Sequence, residues 1–154
     1  MTLGPLEYLL VAFEGNRFSG EVIAALRDAQ DKGTIRVIDL IVIKKDEQGN
    51  LSAFELSELN EEEARPFGFL AGGLMSIFEP EDVELTASQM PNNSAAALLL
   101  IEDTWAIPLK EAILRAGAVA RTGGLVAYEV QKAIEAEIEA EAAEKKQSTV
   151  KAAE

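Results

Sequence analysis

Thr34-Ile-Arg-Val-Ile-Asp-Leu-Ile-Val-Ile-Lys44 decides the fold. The run is dense in β-branched residues, Gly33 precedes it and a polar cluster, 46–50, follows it, so it is predicted to be a strand. With a period of two, one side carries Ile35, Val37, Asp39, Ile41 and Ile43, and the other Arg36, Ile38, Leu40, Val42 and Lys44. Both sides are mainly apolar. A sheet with one wet face alternates apolar with polar residues, so this strand is expected to be covered on both faces. A single carboxylate, Asp39, sits in its middle.

Working outward, Leu6–Phe13 reads as a second strand, apolar on both faces. Ser19 is the expected N-cap of a helix running to about Lys32, with Val22, Ile23, Leu26 and Ala29 on one stripe and Gly33 as its left-handed stop. Downstream of the central strand, Asp46–Asn50 reads as a hairpin turn and Leu51–Leu56 as a short returning strand. From Glu55 to Glu84 there are nine acids and one base, Arg65. Inside that segment lies the apolar run Pro66–Phe78, and Pro80 opens a short helix with acids in its first turn. Ala95–Ile101 is a fourth strand, Pro108 sits in the first turn of a further helix, and 118–122 is a possible fifth strand. A long helix begins near Val126 and gives way to a flexible polar tail at 146–154.

Strand, acidic turn, helix, glycine and strand follow one another in 6–38, and a similar pattern recurs in 95–124. Two βαβ-like halves joined by a hairpin predict an α+β fold. The form expected is a ferredoxin-like antiparallel sheet of four to five strands with helices on one face, an extra C-terminal helix, and a single domain over 1–145. The bare face then needs a cover. The terminal helix can supply part of it, and a second copy of the chain is the economical alternative, so a homo-oligomer, most simply a dimer, is expected.

Composition narrows the chemistry. The 154 residues include neither cysteine nor histidine, which removes disulfides, thiolate nucleophiles, Ser-His-Asp triads and histidine-ligated zinc. No cofactor or metal motif is present, and the chain is expected not to be an enzyme. A net charge of −13 opposes binding to nucleic acid. The first residues, Met-Thr-Leu-Gly-Pro, carry no secretory pattern, and the apolar run 67–78 is too short to span a bilayer. The expectation is a soluble cytoplasmic protein with little membrane contact.

Three constellations can carry function. Asp39 is a buried pocket acid, one half of an ion pair with Arg17, Arg36 or Arg121, or a residue at a sheet end beside water. The turn Glu14, Asn16 and Arg17 and the turn Glu102, Asp103 and Trp105 hold matching places in the two halves. They can form one small-molecule pocket, with Arg17 on an anion and Trp105 as a wall, or serve only as helix caps and an anchor. Gly68, Gly72 and Gly73 have the small-residue spacing that lets helices pack closely.

The residues 4–21, GPLEYLLVAFEGNRFSGE, followed by 33–40, GTIRVIDL, are similar to the opening of a bacterial family classed as a domain of unknown function. Its members share G-P-x-x-Y-L-V-V-x-F-x-G-x-x-F-x-G and then G-T-I-R-V-x-D-L, and the likeness extends through the glycine-containing middle and 94–108. This resemblance implies membership without an activity or any catalytic residue. It also allows a more distant relation to stress-associated proteins whose glycine-rich middle segments are sometimes directed to membranes. Two function classes follow: a self-associating interaction or assembly module, or a small-molecule sensor with its pocket between the halves. A peripheral membrane protein is the third.

Overall fold

A computed structural model describes residues 2–15, 20–119 and 126–153. These form two compact units that divide after Val119. The first holds a four-stranded antiparallel sheet: β1 (Leu6–Glu14), α1 (Gly20–Asp31), β2 (Arg36–Lys45), β3 (Leu51–Glu55), α2 (Glu61–Ala64), α3 (Pro80–Ser88), β4 (Ser94–Glu102) and α4 (Ile107–Arg115). The second is α5 (Tyr128–Ala153), 26 residues and about 39 Å long. Residues 146–153, expected as a flexible tail, continue this helix. The expected cap Ser19 and most of the possible fifth strand, 120–122, lie outside the described residues.

The α+β class and the single antiparallel sheet form as expected, but the strand order is β1-β4-β2-β3. A ferredoxin-like sheet places its first and third strands inside. Here β4 inserts between β1 and β2 and pairs with both, Leu6 to Glu14 against Glu102 to Ser94 on one side and Arg36 to Lys45 against Glu102 to Ser94 on the other. The second and fourth strands, mainly apolar on both faces, take the interior, and the shorter, more exposed β3 takes an edge. Gly33 has a φ of +69° just past α1 and ends that helix as expected.

The helices do not keep to one face. On one side Ile23 of α1 packs with Phe67 and Leu70, which lie in a 3₁₀ turn (Arg65–Leu70), over Leu40, Ala97, Leu99 and Ile101. On the other, Ala87 of α3 and the following Met90 cover Ile41, Ile43, Ala96 and Leu98, with Phe78 and Val83 against them. Lys45 fastens this second roof: its Nζ donates to the carbonyls of Ala87 and Met90 at the end of α3 (3.3 and 3.0 Å). The chain's own α3 therefore covers much of the face that was expected to need another molecule. What stays open is the β1 side, where Leu6 and Tyr8 are 51% and 74% exposed.

Candidate functional site

Asp39 is 5% exposed and has no cationic partner among the described residues. Its Oδ1 accepts the amide of Leu40 (2.8 Å), and its Oδ2 accepts the amides of Ile77 (2.7 Å) and Phe78 (2.9 Å). The amide of Met75 donates to the Ile38 carbonyl (2.8 Å). A bulge between Val37 and Asp39 makes this possible. It turns Val37 and Leu40, three residues apart, onto the same core face and frees the Ile38 carbonyl for the crossing chain. Asp39 is thus a buried anion in a nest of backbone amides that moors the segment leading into α3. Of the cations considered for it, Arg36 goes elsewhere, its Nε meeting Glu102 Oε1 at 3.0 Å, and Arg17 and Arg121 lie outside the described residues.

Glu102 is the second buried acid, 3% exposed at the end of β4. Its other oxygen accepts the Gly4 amide (2.9 Å). Burial pushes its carboxyl up, but the hydrogen bonds from Arg36 and Gly4, with the charges of Arg36 and Lys110, outweigh that and hold it below its ordinary value. Gly4 fits here because it has no side chain: a Cβ would lie 2.4 Å from the Asp103 carbonyl oxygen. The Gly4-Pro5 pair was the available signal for this junction, since a glycine before a strand often marks a close backbone approach. The Gly4–Arg36–Glu102 cluster itself was not anticipated.

Of the residues expected to share one pocket between the two turns, Glu14 and Trp105 lie far apart. Because β1 and β4 are antiparallel, Glu14 ends beside Ser94, whereas Trp105 follows Glu102 at the other end of β4, about 27 Å away. Asn16 and Arg17 lie outside the described residues. Trp105 is 60% exposed, and its backbone amide donates to the Thr34 carbonyl (3.1 Å).

The glycines of the middle segment are not a helix contact within the chain. Added Cβ atoms at Gly68 and Gly72 would meet nothing within 4 Å, and at Gly73 only the Leu70 carbonyl oxygen, at 3.6 Å. Phe67, just before them, and Leu70, among them, are spent in the core. Among the described residues no helix is long and apolar enough to cross a membrane, and no three carboxylates gather to hold a metal ion.

Two features sequence reasoning missed remain open. The first is the outer rim of β1, nine residues with no strand beyond it among the described residues. It carries no proline, lysine or bulge, the devices that usually blunt an edge. The second is a crevice of about 280 Å³ between α1 and β1, walled by Leu9, Val11, Phe13, Val22 and Leu26, with Glu7 as its one charged wall among the described residues.

Together these features define a small α+β protein whose two buried acids, Asp39 and Glu102, hold its own chain and whose β1 is an open sheet edge among the described residues. The chain belongs to DUF6325, a family of unknown function, whose model matches residues 2–145. No curated protein and no solved structure matches it.

Proposed function

We propose that the chain is a non-catalytic, self-associating interaction module whose copies join through β1 in an antiparallel, two-fold pair. The observation that carries this reading is the charge pattern of the bare edge. In LEYLLVAFE the only charged residues are Glu7 and Glu14. Antiparallel pairing centred on Leu10 sets Leu6 against Glu14, Glu7 against Phe13, Tyr8 against Ala12 and Leu9 against Val11 of the second copy, with no like charges opposed. Parallel pairing in register stacks Glu7 on Glu7 and Glu14 on Glu14. An antiparallel register shifted by one residue sets Glu7 against Glu14, a destabilising opposition. The centred arrangement also keeps the apolar faces of both copies on matching sides and extends two four-stranded sheets into one.

A non-catalytic role accords with the residues at hand. The chain has no histidine or cysteine, and Asp39 and Glu102, its buried carboxylates among the described residues, are both fully engaged in structural hydrogen bonds.

The register makes the proposal testable. Tyr8→Lys with Ala12→Glu puts two opposite-charge pairs across the seam, and Tyr8→Glu with Ala12→Glu puts two like-charge pairs there. Both positions are exposed on the strand, so the fold tolerates either. At about 0.2–1 kcal/mol per cross-strand pair, the two variants should differ by roughly fivefold or more in dimer dissociation constant. Equal dissociation constants for the two variants, measured by sedimentation, would sink the β1 seam.

A further inference from the structure

We infer that the crevice between α1 and β1 is a binding site for a small apolar molecule with a cationic head, such as an aliphatic amine. Its walls come from both elements: Leu9, Val11 and Phe13 from the strand, Val22 and Leu26 from the helix. Alternate positions of β1 face the same side, so Glu7, Leu9, Val11 and Phe13 form one row, with the acid at one end and the ring at the other. The cavity of about 280 Å³ is at the small end of ligand sites, matched to a short chain rather than a nucleotide.

Its volume persists because α1 sits over β2 and β4. Ile23 is buried against them, while Leu9 and Val11 are only half-buried and Val22 is 42% exposed. Filling the crevice finishes burying these side chains, at about 25 cal/mol per Å² of apolar surface.

Charge selects the head group. Among the described residues Glu7 is the single ionisable group of the lining and no base accompanies it there, and the whole chain carries −13. A carboxylate or phosphate head is repelled, a hydroxyl is tolerated, and an ammonium gains an ion pair with Glu7.

This site is distinct from the dimer seam, although both use β1: the seam needs the strand's outer rim, and the crevice its inner face. Three probes with one eight-carbon chain separate the effects: octylamine, octanol and octanoate, titrated calorimetrically into the full chain at pH 7. An aliphatic amine, like lysine, is fully protonated there. The expected order is amine, alcohol, acid, with the amine about three- to fivefold tighter than the alcohol, the size of a half-exposed ion pair. Glu7→Gln should erase the preference of amine over alcohol while leaving the alcohol unchanged, which separates a local contact from general attraction to an acidic surface. Val22→Trp should fill the crevice and weaken all three probes at least tenfold; Val22 is exposed enough for the chain to fold with it. The inference is overturned if octanoate binds as well as octylamine, if no probe binds, or if Glu7→Gln and Val22→Trp leave binding unaltered. Repeating the titration on the like-charge double variant of the β1 seam keeps the two ideas apart, since binding by a monomer upholds the crevice even if the dimer fails.

Discussion

Replacing Asp39 by alanine should detach the segment that leads into α3, and the cost can be worked from its contacts. The carboxylate accepts three backbone amides at 2.7 to 2.9 Å in a site 5% exposed. A hydrogen bond to a charged group contributes about 1.5–3 kcal/mol net, and leaving its buried partner unsatisfied costs about 1–3 kcal/mol. The Leu40 bond is local to the strand, so the two bonds to Ile77 and Phe78 dominate. Together they put Asp39→Ala at about 3–5 kcal/mol, a large share of the roughly 5–15 kcal/mol that holds a domain folded. With a urea dependence of about 1–3 kcal/mol per molar, the unfolding midpoint should fall by at least about 1 M. Amide hydrogen exchange in the folded protein supplies the local readout. Protection at Ile77 and Phe78 should collapse further than at Val42 or Leu98, whose bonds belong to the sheet interior. Asp39→Asn retains one acceptor oxygen and should fall between wild type and alanine. If Asp39→Ala unfolds within about 0.5 kcal/mol of wild type, or Ile77 and Phe78 keep their protection, the mooring role assigned to this carboxylate is wrong.

Two further perturbations probe the junction at the other end of the sheet. The Glu102 carboxyl is held below its ordinary value of 4.5, so its stabilising contribution is complete above that value and disappears as pH falls through the lower folded-state value. Glu102→Gln should therefore flatten the part of the stability profile that lies below about pH 4.5, measured by urea unfolding from pH 7 to pH 3; an unaltered acid slope would contradict the assignment. At Gly4 an alanine Cβ meets the Asp103 carbonyl oxygen at 2.4 Å, and this overpacking should cost about 1–3 kcal/mol. Gly20→Ala, where a Cβ meets nothing within 4 Å, serves as the control and should not destabilise, as thermal unfolding of both variants will read.

Much of this fold was legible because β-branched and aliphatic runs mark strands wherever they occur. The four strands were expected at 6–13, 34–44, 51–56 and 95–101 and lie within two residues of those bounds. Double coverage of β2 was also readable, since Ile41, Ile43, Leu40 and Val42 leave no wet side, and all four are buried. The source of the second cover was not. The acidic start of α3 announces a solvated helix, yet Val83 and Ala87 pack on the sheet, too few apolar residues to give a strong periodic signal. The β1-β4-β2-β3 order depends on which strands meet across the chain, and local pattern carries little of that information. The amide partners of Asp39 were not legible for a related reason: backbone amides have no letter in a sequence, and a bulge shifts the period without announcing itself. The pocket expected between the two turns assumed that the halves lie side by side in the same sense, whereas the antiparallel pairing of β1 with β4 sets Glu14 and Glu102 at opposite ends of their shared ladder.

The bare β1 rim is the central claim, and the solution mass of the unaltered chain tests it most directly. Sedimentation equilibrium across a range of concentrations should give a reversible approach to twice the 16.6 kDa of one chain. Association should tighten as added salt screens the repulsion between two copies of net charge −13. A mass of 16.6 kDa that holds at every concentration and ionic strength would contradict it.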